Sequence, residues 1–306
     1  MIKENIEVII LKIYDTHSDV FYNLYSRSQQ HCIDPFKKYH LDALTKGEVK
    51  GGIWVVYSEH DFDVYEAYKI ALDAFRPYEQ NYHVIKGLEG LRNVHNLDEL
   101  NRLYELGIRH ASLTWNEENH LATGVAGEKE RGLTNLGKQF LDYMYEHHMI
   151  IDVSHLNIKS FYDVIEYMPH NIIASHSNAF ALSDHRRNLN DDQLRVLREV
   201  NGYVGAVSAR NFVSKNPSYQ NTIGLANQII YLGEKLGIDH VMLGLDIMDY
   251  LSDYEGENAN LDNLKGHMDA QNIITELLNR GLSLNEVEQI AYRNFENYKK
   301  GIKLDE

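Results

Sequence analysis

Eight short runs rich in β-branched and aromatic residues punctuate the chain, at 8–14, 52–57, 83–88, 107–113, 149–153, 171–174, 202–207 and 240–244. Each has the length of a strand, and most show little alternation of apolar and polar positions, as expected for strands covered on both faces. Between them lie longer segments with helical spacing. The clearest is 134–148, where Leu136, Phe140, Leu141 and Met144 form one apolar stripe and Thr134 stands where an N-cap belongs. Segments 62–80, 96–106, 157–168, 190–201 and 222–237 fit crossover helices, and 268–280 and 285–299 would close the chain. Strands alternating with helices predict a parallel sheet, and eight such units favour a closed (β/α)8 TIM barrel of the α/β class over an open doubly wound sheet. No G-x-G-x-x-G follows the first run and no G-x-x-x-x-G-K-[ST] occurs, which weighs against the open nucleotide-binding alternative. With 4 prolines and no low-complexity stretch or fixed repeat, residues 1–306 read as a single domain.

Composition narrows the partners. Hydrophobic residues make up 43% and charged residues 25%, in keeping with a folded domain that has a sizeable core. Acidic residues outnumber basic ones 45 to 30, and a net charge of -15 repels nucleic acid and anionic lipid. No apolar run approaches the roughly 20 residues needed to cross a bilayer. The opening MIKENIEVIILKIYD carries acidic residues where a secretory leader would be basic, so a cytoplasmic location is expected. The single Cys32 excludes an intrachain disulfide and a multi-thiolate zinc site, so any metal must be held by His and carboxylates.

In a barrel of this kind the chemistry sits where strands enter the following loops. The first run leads into Asp15-Thr16-His17-Ser18-Asp19, and a His-x-Asp pair in extended chain places both side chains on one face, about 7 Å apart. The third leads to Gly87-Leu88-Glu89-Gly90, the fifth to Asp152-Val153-Ser154-His155, the sixth to Ser175-His176-Ser177 and the eighth to Gly244-Leu245-Asp246. Imidazole and carboxylate together suit zinc and similar divalent ions, and a shared carboxylate can bridge two of them. Two such ions generate a hydroxide nucleophile near neutral pH and polarise a carbonyl, while Asp246 could carry the proton. Taken singly, Asp19 reads more readily as a helix N-cap and Asp246 as a loop cap, and most of the 16 histidines are ordinary surface or core residues. Their recurrence at five strand ends is what favours a metal site.

These residues, in order and spacing, resemble the membrane (renal) dipeptidases, a family of zinc metallopeptidases with an amidohydrolase-like barrel. The resemblance rests on D-T-H-S-D-V at 15–20, G-L-E-G at 87–90, L-T-W-N at 113–116 and G-L-T-N-L-G at 132–137. It continues through I-I-D-V-S-H at 150–155, I-A-S-H-S-N-A at 173–179, H-R-R-N-L-N-D at 185–191, G-L-D at 244–246 and R-N-F at 293–295. It implies two divalent ions per chain, zinc in the family, one held by His17 and Asp19, the other by His155 and His176, with Glu89 bridging. Asp246 would then handle the proton, and Arg187 would bind the free carboxylate of a dipeptide, including dipeptides ending in a D-residue. A homodimer is also implied. Where the family carries L-T-H-N, with the His contacting substrate, this chain has Trp115, and His120 is the nearby imidazole that could substitute. The stretch after the eighth run reads D-I-M-D-Y at 246–250 where the family often shows D-F-D-G. The Trp115 difference keeps two alternatives open: a metal amidohydrolase acting on another small amide or N-acyl amino acid, and a catalytically impaired metal-binding barrel.

Overall fold

The eight predicted strands close on themselves. In the computed structural model, which describes residues 9–251 and 259–304, β1 is Ile13–Ser18, β2 Val49–Tyr57, β3 His83–Glu89 and β4 Ile108–Ser112. The remaining strands are β5 Ile150–Asp152, β6 Ile172–Ala174, β7 Tyr203–Ala206 and β8 Val241–Leu243. All neighbours pair in parallel, and β1 closes against β8 through Asp15 and Leu243, so the (β/α)8 barrel is observed.

The helices between strands start at residues able to cap them. Asp63, Asn96, Thr134, Asn157 and Asn190 each accept a hydrogen bond from the backbone N–H three residues on. Each such bond satisfies a donor that the first helical turn leaves free, worth ~1 kcal/mol. Residues alternate along β2 between two cores: Trp54 and Val56 pack outward against the helices, whereas Ile53 and Val55 point inward. The inward core also contains Tyr14, Ile85, Ile150, Ile173 and Met242, and the last helix, Asn294–Gly301, adds Phe295 and Tyr298 to it. Asn294 Nδ2 donates to the carbonyls of Ile238 and Val241, at 2.8 Å each, which ties that helix to the chain entering β8. The apolar inward layer thus leaves the opposite, C-terminal mouth for polar residues.

Two expectations shift. The first strand is Ile13–Ser18 and not 8–14: Ile9 and Ile10 are exposed, at 38% and 61%, whereas Asp15, Thr16, His17 and Ser18 are all buried. Polar residues can occupy a buried strand because their partners are built in. Thr16 Oγ1 lies 2.7 Å from the Ser175 carbonyl and 3.0 Å from that of Leu243, and Asp15 accepts from the backbone N–H groups of His17 and Leu245. The segment expected to be helical at 285–299 is a helix, a π-type turn at Gln289–Arg293, and a second helix. Residues 1–8, which carry much of the leader argument, lie outside the described residues. No described helix is long and apolar enough to cross a membrane.

Candidate metal centre

The β2 to β5 strand ends are in register, pairing Tyr57 with Glu89, Glu89 with Ser112, and Ser112 with Asp152. One layer of the barrel mouth is therefore polar by construction. Glu89 ends β3, and the next residue turns sharply: Gly90 has φ +85°, and a Cβ there would lie 2.9 Å from the Trp115 amide nitrogen. A side chain at that position would be strained and crowded, so glycine suits the turn that presents Glu89.

Three imidazoles surround that carboxylate. Glu89 Oε1 lies 2.7 Å from His155 Nε2, 3.3 Å from His176 Nε2 and 3.5 Å from His17 Nε2. The Nε2 atoms of His155 and His176 are 2.8 Å apart, and Asp246 Oδ1 is 4.0 Å from His17 Nε2. Asp19 joins His17 and Asp246 in a second cluster whose ligand atoms all lie within 4.8 Å of one another. Six residues expected from five strand ends thus meet in one place. Asp19 occupies the N-cap position of the helix Val20–Gln29, yet its side chain makes no capping hydrogen bond. Its Oδ1 and His17 Nε2 are both buried without a hydrogen-bond partner, an arrangement proteins avoid unless something else satisfies the atoms. Donor separations of 2.7 to 3.5 Å around Glu89 match the edge of about 3.4 Å of a tetrahedron with Zn–N bonds of 2.0–2.1 Å. The residues present therefore fit divalent ions.

The electrostatics of the site are strongly perturbed, and without bound ions His17 carries a positive charge among the carboxylates. Burial depresses His17, but the carboxylates of Glu89, Asp246 and Asp19 outweigh it and push its pKa up to about 10. Burial, reinforced by Glu89, holds Asp19 well above the usual carboxylate range, and burial lifts Asp246 to about 6. Burial also opposes ionisation of Glu89, but His17 and His155 hold it well below the ordinary value. His155, depressed by burial and by Arg187 to about 4, is a neutral imidazole, as a metal ligand must be. Three carboxylates in a buried pocket form a site that positive charge stabilises.

Two of these residues sit on unusual backbone. His155 has φ 69° and Asp246 φ 51°, left-handed conformations that cost a non-glycine residue of order 1–3 kcal/mol and that cluster at functional sites. The imidazoles are also fixed from behind. Asn116 Oδ1 lies 3.0 Å from His155 Nδ1, and Ser175 Oγ lies 2.8 Å from His176 Nδ1. Ser175 Oγ donates in turn to Asp152 Oδ2, which also lies 3.0 Å from His110 Nε2. With Nδ1 engaged in this way, Nε2 of His155 and His176 faces the centre.

A cavity of about 370 Å³ opens over Glu89, and its walls include Tyr57, Trp115, Asn116, Arg187, Phe212 and Met248. Arg187 is 5% exposed, donates to His176 Nε2 at 2.8 Å, and keeps its Nε buried without a partner. Trp115 lies between Tyr57 and His155, with ring centroids at 6.1 and 6.0 Å. His120 does not join them. Its Nε2 contacts the Val94 carbonyl at 2.8 Å, its ring lies near His95, and it does not line the cavity, so the structure gives it no part in the site. Sequence reading missed Asn116, Asp152 and His110 as supports. The first lies in the quoted L-T-W-N, whereas His110, within the run at 107–113, carries no local signal.

The curated relatives include dipeptidase aclJ of Aspergillus oryzae, 32% identical over 219 residues, which cover 68% of this chain and 49% of that protein. Dipeptidase tcpJ of Claviceps purpurea is 27% identical over 213 residues, covering 69% and 48%. The chain spans about half the length of these relatives. Among solved structures, a Rhodobacter sphaeroides metallopeptidase bound to a phosphinate mimic of L-Ala-D-Ala superposes with a TM-score of 0.80. It covers 95% of this chain and 99% of its own at 19% identity, a likeness of fold. The profile of the membrane dipeptidases matches residues 73–297, a span that takes in Glu89, His155, His176, Arg187 and Asp246 and begins after His17 and Asp19. On that match over most of its length, the chain belongs to the membrane dipeptidase family, peptidase family M19.

Proposed function

We propose that this chain is a binuclear metal-dependent hydrolase that cleaves dipeptides, including those ending in a D-residue. The observation that carries the reading is the meeting of Glu89 with His17, His155 and His176 at 2.7 to 3.5 Å, beside Asp19 and Asp246. In this reading His17 and Asp19 hold one ion, His155 and His176 the other, and Glu89 serves both, with zinc the ion that best suits the donors. Such ions, when bound, supply an activated water near neutral pH and polarise the scissile carbonyl.

The chain's own residues do the rest. Asp246, lifted to about 6 by burial, can accept a proton from the attacking water and return it to the departing amine. Arg187 presents its guanidinium to the cavity, where a planar fork of donors suits the free carboxylate of a dipeptide. Burial in the barrel mouth excludes bulk water and strengthens these charge interactions. The phosphinate dipeptide mimic bound by the Rhodobacter sphaeroides protein supports this substrate class. A homodimer in the cytoplasm belongs to the same proposal, and light scattering with cell fractionation checks it.

The test is a panel of L,L and L,D dipeptides incubated with metal-loaded protein. Release of free amino acids is expected, and no detectable release at micromolar enzyme rejects the proposal. One observation favours a second reading, hydrolysis of another small amide: Trp115 puts an apolar ring on the cavity wall. N-acyl amino acids turned over faster than every dipeptide in the panel would select it.

A further inference from the structure

The cavity over Glu89 has a larger neighbour. A chamber of about 680 Å³ lies against it, and His155, Arg186 and Arg187 line both. Its walls come from the loops after β4, β5 and β6 and the start of the helix Ile158–Tyr167; apolar surface from Val125, Val153, Leu156, Tyr162, Phe180 and Leu189 predominates, with Lys129, Glu130, Lys159 and Arg186 also on the lining. Nothing in the mechanism above uses this space.

We propose that the chamber receives the side chain of the C-terminal residue of the substrate, so that the enzyme selects dipeptides ending in a large apolar residue. The inference rests on the dipeptidase reading. If Arg187 holds the substrate carboxylate, the Cα that bears this carboxylate lies beside Arg187, and a side chain on it has the adjoining chamber within reach. The volume is in the range of ligand pockets and takes an aromatic side chain whole. The apolar walls choose the chemistry. A large apolar side chain placed there buries its surface against Val153, Leu156 and Leu189, all buried.

The experiment compares Ala-Ala, Ala-Leu, Ala-Phe and Ala-Glu with the reversed Leu-Ala and Phe-Ala, using the metal-loaded full chain. A hydrophobic pocket discriminates by roughly tenfold or more for a single methylene, so kcat/KM for Ala-Phe is expected to exceed that for Ala-Ala by at least roughly tenfold. Phe-Ala should show no such gain. Ile158 lines the chamber and is 60% exposed, so Ile158→Trp can partly fill the space with little risk to the fold. Val125→Trp does so from another wall. Each variant should lose most of the Ala-Phe advantage over Ala-Ala. Equal rates for Ala-Phe and Ala-Ala, a preference for Ala-Glu or Phe-Ala, or variants that leave the Ala-Phe advantage intact would each overturn the proposal. Calorimetric binding of the same peptides separates the two claims. Tighter binding of Ala-Phe than Ala-Ala, lost in both variants but without any hydrolysis, would sink the dipeptidase reading and leave the chamber assignment standing. Equal affinities would sink the assignment.

Discussion

Asp152 never touches the cavity, yet replacing it with Asn should cost the protein both stability and activity. Its Oδ1 accepts the backbone N–H groups of Ser154 at 2.9 Å and Ser175 at 3.1 Å. Its Oδ2 accepts from Ser175 Oγ and, at 3.0 Å, faces His110 Nε2. Burial opposes its charge, but His110 and the neighbouring donors hold the carboxyl well below the usual range, so it is ionised in the fold. An Asn can keep its oxygen toward the two amides, and its NH2 then meets two groups that were donating. His110 must turn its Nε2 into an acceptor, which moves the proton to Nδ1, an atom buried without a partner beside Gly87. Ser175 Oγ must turn as well, which disturbs its contact with His176 Nδ1. Hydrogen bonds to a charged group are worth ~1.5–3 kcal/mol and a buried unsatisfied donor costs ~1–3 kcal/mol, so a loss of about 3–5 kcal/mol is expected. Urea unfolding at pH 7 with a chelator in both samples removes metal linkage from the comparison. The sign with pH is fixed: a carboxyl depressed in the fold stabilises above its unfolded value of 3.8 and loses that contribution below it. The gap between wild type and Asp152→Asn should therefore narrow by about 1 kcal/mol from pH 4 to pH 3. A difference under 1 kcal/mol at pH 7, or a gap that widens in acid, would refute the reasoning.

Three further outcomes are expected. Exhaustive chelation should abolish hydrolysis, and zinc, cobalt or manganese should restore it, since His and carboxylate donors discriminate weakly among these ions; activity that survives chelation counts against the site. Arg187→Ala should lower kcat/KM on dipeptides by roughly tenfold to a hundredfold, the worth of a charge-assisted contact, and should do so less on amides without a free carboxylate; equal losses on both would remove its assigned role. His40, depressed by burial to about 3, is neutral in the fold and protonates in the unfolded chain below 6.5. It should therefore destabilise the protein as pH falls from 6.5 toward 3, and His40→Gln should weaken that dependence in a thermal-melt series; an unchanged slope refutes this.

The strand-end logic reached the residues that converge because a barrel forces loop-facing polar residues to one mouth, and H-S-D-like patterns after apolar runs are visible one at a time. It failed where polar residues lie inside the strands. Asp15 pairs with His267 at 3.1 Å across 252 positions, and His110 pairs with Asp152 across 42, separations at which no local pattern links partners. The first strand was displaced for the same reason, since four of its six buried residues are Asp-Thr-His-Ser and the preceding Ile9 and Ile10 are exposed. The helix Val20–Gln29 left no clear stripe because Asn23 and Arg27 are buried along with Val20, Phe21 and Leu24. Arg27 Nη2 donates to the Tyr250 carbonyl at 3.0 Å, a partner fixed by the far end of the chain. The adjoining chamber was equally hidden, being a space between loops and not a property of any residue.

What these polar insertions imply about stability can be measured. The mouth gathers Asp19, Glu89 and Asp246 around His17 and holds His155 and Asp246 at positive φ, so the chain carries repulsion and strain that a fold selected for stability alone would not keep. Bound ions would offset the repulsion, and ligands that bind only the folded state stabilise it by ~4 kcal/mol at 1,000 times Kd, for each site. With an unfolding entropy near 2.1 cal/mol/K per residue, 306 residues convert ~8 kcal/mol into a rise of roughly 10 °C in Tm. Zinc titrated into chelator-stripped protein should produce that rise, and Glu89→Ala, which removes the carboxylate proposed above to serve both ions, should abolish most of it. The variant separates the candidate centre from any adventitious surface site. A Tm that rises equally in wild type and Glu89→Ala would mean that the ions bind elsewhere, and the convergence at the barrel mouth would then need another explanation.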